Sequence, residues 1–159
     1  MPSSLTGADA INALRRTNVI LNDLLRDLSQ ADALSHRDGG DGWNVLEIIC
    51  HLRDLEGVYQ RREVQMLTED NPPLEGFDVA GAVIANDYAH ADLREALTLW
   101  NERRAAHLEF LAGLAPEQLE RTGVHPAYGA CTLLEAAVRT AFHDVNHTEQ
   151  VLKALGRAQ

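Results

Sequence analysis

Two histidines four residues apart, His143 and His147, are the residues whose types and spacing most directly indicate chemistry. On an α-helix, positions four apart lie one above the other, about 6 Å apart along the axis, so both imidazoles can bind one divalent ion. His51, on an earlier helical segment, supplies a third imidazole. Three neutral histidines suit Zn²⁺, Ni²⁺, Fe²⁺ or Mn²⁺, and the sequence does not choose among these ions. The pattern suggests a metal site with His51, His143 and His147 as ligands.

The other four histidines carry a weaker signal. His36, His90 and His107 have no partner at ligand spacing, so we expect them to be solvated or capping residues. His125 is intermediate, because it lies in a loop that leads into the helix of His143. It either approaches the metal site from outside or shapes the turn.

Other catalytic motifs are missing from the chain. It has no phosphate-binding glycine loop, no dinucleotide-binding glycine pattern and no serine nucleophile elbow. Asp144 follows His143, so the H-E-x-x-H zinc-protease motif is absent, and no Glu lies three residues before His143 or His147 as a di-iron bundle requires. The histidine triplet is therefore the main candidate site.

Four segments with helical periodicity must position these histidines, and they span residues 9–34, 44–67, 92–114 and 132–155. The last three open with a capping-box pattern, in which a polar cap is followed three residues later by Glu. No segment shows convincing strand alternation. A long crossover with a short helix near residues 79–86 joins the second segment to the third. The sequence predicts an all-α protein, a four-helix bundle with one long crossover.

Bulk composition limits the location and the partners of the chain. At 159 residues, with 45% hydrophobic residues and no linker-like tract, we expect a single domain spanning residues 1–159. A net charge of −10 disfavours nucleic acid or an anionic membrane as a partner. The sequence has no signal-peptide pattern and no membrane-spanning run, and Cys50 and Cys131 are isolated. We therefore expect a cytoplasmic protein with reduced thiols and a small-molecule substrate.

Three motifs resemble the DinB-like superfamily, which is related to the damage-inducible and bacillithiol-transferase-like proteins: WNVLEIICHLRD at 43–54, HPAYGACTL at 125–133 and HDVNHTEQ at 143–150. The resemblance covers nearly the whole chain. It implies a four-helix bundle in which His51, His143 and His147 bind the metal and water completes the coordination shell. Some members resemble thiol S-transferases, in which the ion activates bacillithiol or mycothiol, and others are thiol-dependent isomerases.

The leading hypothesis is a metal-dependent enzyme that activates a low-molecular-weight thiol for S-transfer, or water for hydrolysis. Glu47 or Asp54, close to His51 on the same helix, could orient its ring. The alternative is a non-catalytic, stress-associated metal-binding protein. A structural ion usually has four protein ligands, and His125 is the candidate for the fourth.

A homodimer is expected from the first helical segment. Ile20, Leu21, Leu24, Leu25 and Leu28 form a wider apolar arc than one neighbouring helix needs. The same width also fits a helix that is central to its own bundle.

Overall fold

The computed structural model describes residues 4–158, so residues 1–3 and 159, the ends of the expected domain, lie outside it. The elements in chain order are α1 (Gly7–Leu24), α2 (Gln30–Ser35), α3 (Val45–Thr68), α4 (Val79–Ala85), a 3₁₀ turn (Tyr88–His90), α5 (Leu93–Ala112), α6 (Pro116–Leu119), β1 (Thr122–His125), β2 (Gly129–Thr132) and α7 (Leu133–Ala154). The four long helices are α1, α3, α5 and α7.

These four helices form a bundle with a diagonal chain path. Helix α1 packs against α5 and α7, and α3 packs against the same two helices. Therefore α1 lies diagonally opposite α3, and α5 lies opposite α7. The links from α1 to α3 and from α5 to α7 each join opposite corners, whereas the crossover of residues 69–92 joins adjacent helices. The predicted four-helix bundle with a long crossover between its second and third helices is confirmed.

The caps that start the last three long helices form as the sequence predicts. Asn44 and Glu47 make a reciprocal capping box at α3, and Thr132 and Glu135 make one at α7. The Asp92 side chain accepts hydrogen bonds from two backbone N–H groups in the first turn of α5. Each cap satisfies donors that the helix cannot pair internally, which fixes the starting residue of the helix.

The first predicted helix, 9–34, is wrong in its second half, where a turn separates α1 from α2. Arg94 on α5 donates hydrogen bonds to the backbone carbonyls of Leu25, at 3.0 Å, and Leu28. Ser29 then caps α2 through its side chain. The apolar periodicity continues across this turn, so the break depends on a contact with another helix.

A two-stranded antiparallel hairpin is a second departure, because the sequence pattern indicated no strand. His125 in β1 pairs with Gly129 in β2, and Gly129 has a φ of 79°, which favours glycine. Val124 also exchanges backbone hydrogen bonds with the crossover, donating to Pro72 and accepting from Leu74. Strands of four residues are too short to show alternation. The hairpin holds the loop of His125 against the start of the crossover.

A buried network of charged side chains ties the helices together in the middle of the bundle. Arg104 on α5 makes two hydrogen bonds with Glu56 on α3, at 2.7 and 2.6 Å, and two with Asp144 on α7, at 2.7 and 3.3 Å. It also donates to a backbone carbonyl of α1. The two ring nitrogens of His107 lie 2.7 Å from Glu56 and 2.6 Å from Glu63. This network links all four long helices.

The prediction that His107 is a solvated or capping residue is therefore wrong, because its side chain is fully buried between two carboxylates. His36 does serve as a cap, since its Nδ1 lies 2.8 Å from a carbonyl oxygen near the end of α2. His90 is exposed and lies 2.8 Å from Asp87. Burial thus separates His107 from the two surface histidines.

Cys50 and Cys131 are buried free thiols, as the sequence predicts. Among residues 4–158, no helix combines the length and apolar character needed to cross a membrane.

Candidate metal centre

Three imidazoles converge between α3 and α7. The Nε2 atom of His143 lies 3.2 Å from Nε2 of His51 and 3.0 Å from Nε2 of His147. His143 and His147 lie one turn apart on α7, and the packing of α3 against α7 brings in His51. The structure thus brings together the three histidines that the sequence analysis singled out, as a cluster with metal-ligand geometry.

The surroundings keep these rings neutral. Burial, followed by the charge of His147, lowers the pKa of His51 to about 4. Burial, followed by the charges of His147 and His51, lowers the pKa of His143 to about 3, and burial also lowers the pKa of His147. Neutral imidazole is the form that binds metals, so the three rings are available as ligands near pH 7.

The geometry fits a divalent ion. Two nitrogens bound to one tetrahedral Zn²⁺ at about 2.0–2.1 Å lie about 3.3 Å apart, close to both measured separations. His147 Nδ1 lies 2.7 Å from Gln150 Oε1. Because an amide oxygen only accepts, Nδ1 carries the proton and the Nε2 lone pair faces the other two rings. The Nδ1 atoms of His51 and His143 are buried and have no hydrogen-bond partner within residues 4–158.

Neither carboxylate predicted as an orienting group reaches His51. Glu47 accepts the backbone N–H of Asn44 in the cap of α3. Asp54 accepts hydrogen bonds from Arg53, Asn86 and Tyr88, and so anchors the crossover to α3. Both carboxylates therefore stabilise the fold rather than the orientation of the His51 ring.

Aromatic side chains enclose the cluster. The Trp43 ring lies 4.9 Å from His51 and is stacked, at 6.5 Å, on His147. Phe77, from the crossover, lies 5.8 Å from His51 on another side. These contacts leave His51 only 5% exposed. The sequence could not indicate this burial, because Trp43 and Phe77 come from outside α3.

A cleft of about 770 Å³ opens beside the cluster, and His51 and His143 lie in its wall. Arg62 and Arg139 also line it, as do Tyr59 and the hairpin loop of residues 125–128. No Asp or Glu among the described residues lines this cleft. Its volume is in the range of small-molecule sites. Sequence analysis identified neither arginine as part of the site, because their position depends on the packing of the hairpin.

His125 lines the cleft but lies outside the three-histidine cluster, so it is not placed as a fourth ligand. Its ring stacks on Tyr128 at 3.7 Å, and its Nδ1 accepts the backbone N–H of Ala127 at 3.1 Å. Burial, followed by the charges of Arg62 and Arg139, lowers the pKa of His125 to about 4. The ring is therefore neutral, with its proton on Nε2.

The sequence profile of the DinB superfamily matches residues 13–151, a span that contains all three histidines. The chain belongs to the DinB superfamily. The resemblance in the three motifs is thereby confirmed.

Several relatives of this DinB superfamily protein carry a functional name. It is 25% identical over 150 residues to "Putative metal-dependent hydrolase OB0782" of Oceanobacillus iheyensis, an alignment that covers 85% of this chain and 86% of the relative. It is 28% identical over 132 residues to "Putative metal-dependent hydrolase YfiT" of Bacillus subtilis, with 80% and 72% covered.

Two solved structures share the fold. YfiT of Bacillus subtilis, described as "a probable metal-dependent hydrolase with an unusual four-helix bundle topology", superimposes with a TM-score of 0.86 and 22% identity over 99% of this chain and 91% of YfiT. TT2238, a four-helix bundle protein, superimposes with a TM-score of 0.65 and 25% identity over 96% of this chain and all of TT2238. These similarities support the bundle fold of this DinB superfamily protein.

Proposed function

We propose that this protein is a metal-dependent enzyme whose ligands are His51, His143 and His147. The proposal rests on the convergence of three neutral imidazole nitrogens beside a cleft that His51 and His143 line. A catalytic site keeps a coordination position open, whereas a structural site is closed by four protein ligands. Among residues 4–158 the cluster has three, and His125 lies outside it.

A divalent ion held by three neutral ligands keeps its full charge and lowers the pKa of a thiol or water bound to it. The chain itself contributes orientation and exclusion of water. Gln150 holds the proton of His147 on Nδ1, and Trp43 and Phe77 cover two sides of the cluster. Tyr59, whose ring centre lies 5.9 Å from that of His143, lines the cleft.

The first proposed reaction is transfer of a low-molecular-weight thiol, such as bacillithiol or mycothiol, to an electrophile in the cleft. The described cleft residues include no carboxylate that could accept a proton from water. A thiol, with an ordinary pKa of about 8.5, needs less help to ionise than water does. The thiol would lose its proton to solvent water in the open cleft, sulfur would form a bond to the electrophilic carbon, and the leaving group would depart with its bonding electrons.

Hydrolysis is the second proposed reaction, and the names of the relatives favour it. The OB0782 and YfiT proteins both carry the name "Putative metal-dependent hydrolase". In this reaction water takes the place of the thiol as the nucleophile.

An assay of metal-loaded protein tests these proposals. Samples loaded with Zn²⁺, Ni²⁺, Fe²⁺ or Mn²⁺ are given bromobimane with bacillithiol or mycothiol, and separately 4-nitrophenyl acetate without thiol. We expect His143→Ala to abolish the turnover, and His90→Ala, a surface histidine outside the cluster, to keep it. Turnover only with thiol supports transfer, and turnover only with the ester supports hydrolysis. No turnover of either substrate, with a large fall in melting temperature after metal removal, supports a non-catalytic role.

We also propose a cytoplasmic homodimer. Val19 and Ile20 on α1 are 55% and 54% exposed, and they line a groove with Leu152 of α7. Leu21 and Leu25 are buried in the core of the bundle, so the apolar surface of α1 that a second copy could contact is narrower than the sequence suggested. Light scattering after size exclusion tests the proposed dimer, and a monomer at micromolar concentration would contradict it.

The proposed cytoplasmic location rests on the thiols, because free buried cysteines fit a reducing compartment.

A further inference from the structure

Arg62 is a buried cation without a carboxylate partner. Its side chain is on α3, the residue is 6% exposed, and its Nε donates to the backbone carbonyl of Glu75 at 2.9 Å. The Glu75 carboxylate pairs instead with Arg61, at 2.9 Å. The two Nη groups of Arg62 have no hydrogen-bond partner in the described chain, and the residue lines the cleft. These Nη groups are not among the fully buried unpaired atoms of the described chain, so they are accessible from the cleft, and a guanidinium fork that no carboxylate occupies is suited to binding an anion.

Arg139, on α7, brings a second guanidinium to the same cleft. Its guanidinium carbon lies 4.2 Å from the centre of the Tyr128 ring, which orients it beside the hairpin loop. Within residues 4–158, Arg139 makes no ion pair with a carboxylate. Arg62, Arg139 and His125 line the same cleft, and the positive charges of both arginines contribute to the lowered pKa of His125.

The cleft thus has the opposite charge to the protein as a whole. The chain carries a net charge of −10, yet the part of this cleft that the structure describes has two arginines and no acidic side chain. His125 adds a neutral Nε2–H donor, because its Nδ1 accepts the Ala127 N–H. Two guanidinium groups and an N–H donor that line one cleft are a typical arrangement for binding an oxyanion, and we name Arg62, Arg139 and His125 the anion-binding wall.

The distance between the Arg62 guanidinium group and the His143 ring has an upper limit. The Arg62 guanidinium carbon and the His143 ring centre each lie 5.9 Å from the Tyr59 ring centre. The separation between them therefore cannot exceed twice that distance. A small molecule can span this gap with one end at each group.

We propose that the substrate is a small organic anion whose carboxylate or phosphate binds Arg62 and Arg139, while its reactive end faces His51, His143 and His147. The part about the reactive end rests on the proposed function, whereas the anion site depends on the two arginines alone. Leu55, Phe77 and Phe142 line the same cleft and provide apolar contacts for the body of the molecule.

Isothermal titration calorimetry of the full-length protein tests this assignment with three probes: phenyl phosphate, phenylacetate and the neutral phenylacetamide. Each probe is titrated into zinc-treated protein and into chelator-treated protein. We expect one or both anions to bind at least about 10-fold more tightly than the amide, the size of one or more charge-assisted hydrogen bonds. The anion with the tighter binding identifies the oxyacid that the wall prefers.

Three variants identify the groups responsible. Arg139→Gln, an exposed position, and Arg62→Lys, which keeps a buried cation but loses the planar fork, should each reduce the preference for the anion about 10-fold. Arg61→Gln is the matched control, since it removes the same charge from the adjacent residue outside the cleft, and it should keep the preference. Equal or undetectable binding of anions and amide, or equal losses in Arg61→Gln and Arg139→Gln, would overturn the assignment.

The measurements separate this assignment from the proposed function. If the preference for the anion is present but the protein retains no zinc, the anion wall stands and the metal-dependent function fails. If zinc binds and the preference is absent, only the assignment of an anionic substrate fails.

Discussion

Removal of the Arg104 guanidinium should destabilise the protein far more than removal of its neighbour in the sequence. In Arg104→Met, Glu56 and Asp144 lose a cation that they contact at 2.6 and 2.7 Å, and the Arg104 and Glu56 side chains are each only 1% exposed. Breaking a buried ion pair in this way costs about 3–5 kcal/mol. For a chain of this length each kcal/mol lowers the melting temperature by about 2–4 °C, so we expect a fall of about 6–20 °C.

Arg103→Met is the matched control for this experiment. The Arg103 side chain is 37% exposed, lies 3.7 Å from Asp54 and donates one hydrogen bond to the Arg53 carbonyl. Such a partly exposed group contributes about 1–2 kcal/mol. Urea denaturation followed by circular dichroism gives both free energies of unfolding. The reasoning is refuted if the two variants lose the same stability.

A third variant separates charge from packing. Adding Asp144→Asn to Arg104→Met removes the carboxylate charge left without a cation, whereas Glu56 keeps its contact with His107 at 2.7 Å. We expect part of the lost stability to return, because uncompensated charge, rather than lost volume, causes most of the penalty. A further fall in stability would show that packing of the Arg104 side chain dominates instead.

Three further outcomes are expected. Burial opposes the charged form of His107, but its two carboxylate neighbours raise its pKa from 6.5 to about 9. The stability that the protonated ring contributes is therefore fully present below pH 6.5 and is lost as the pH rises through 9. Free energies of unfolding measured in urea at a series of pH values should show this loss in wild type and not in His107→Gln. Gly129→Ala should cost about 1–2 kcal/mol in melting experiments, since φ is +79° there, whereas Gly40→Ala should be nearly neutral. Gln150→Leu should weaken metal affinity about 10–100-fold by calorimetry, because it removes the acceptor of the His147 proton, and an unchanged affinity would refute that role.

Local signals in the sequence are sufficient to predict the long helices and the histidine cluster. Asn44, Asp92 and Thr132 each combine a capping side chain with a Glu three residues later, and the structure starts a helix directly after each. The spacing of His143 and His147 fixes their common face on one helix. These features depend on hydrogen bonds and periodicity within a few residues, so a single sequence reveals them.

The features missed by the sequence analysis depend on contacts between distant segments. The turn after α1 relies on Arg94 from α5, and the hairpin relies on backbone pairing with the crossover. His107 did leave a signal, because Arg104 and His107 continue the three- and four-residue spacing of the apolar face of α5. Charged residues at core positions indicate a buried network, although their partners on α3 and α7 cannot be identified from α5 alone.

The single domain of residues 1–159 stays a prediction, as do the ligand roles of the three histidines. The superfamily assignment and the bundle are established by the match over residues 13–151 and by the similarity to YfiT. The charge of the cleft was not predictable from composition, since the overall charge of −10 suggests the opposite. Local charge depends on which side chains the fold brings together.

Elemental analysis of tag-free protein tests the metal site most directly. Wild type, His51→Ala and His143→Ala are compared with His90→Ala, all prepared without added metal and again after reconstitution. We predict one divalent ion per chain in the wild type and in His90→Ala, and its loss from His51→Ala and His143→Ala. No ion in the reconstituted wild type, or an ion that persists in His51→Ala and His143→Ala, would contradict the three-histidine metal site.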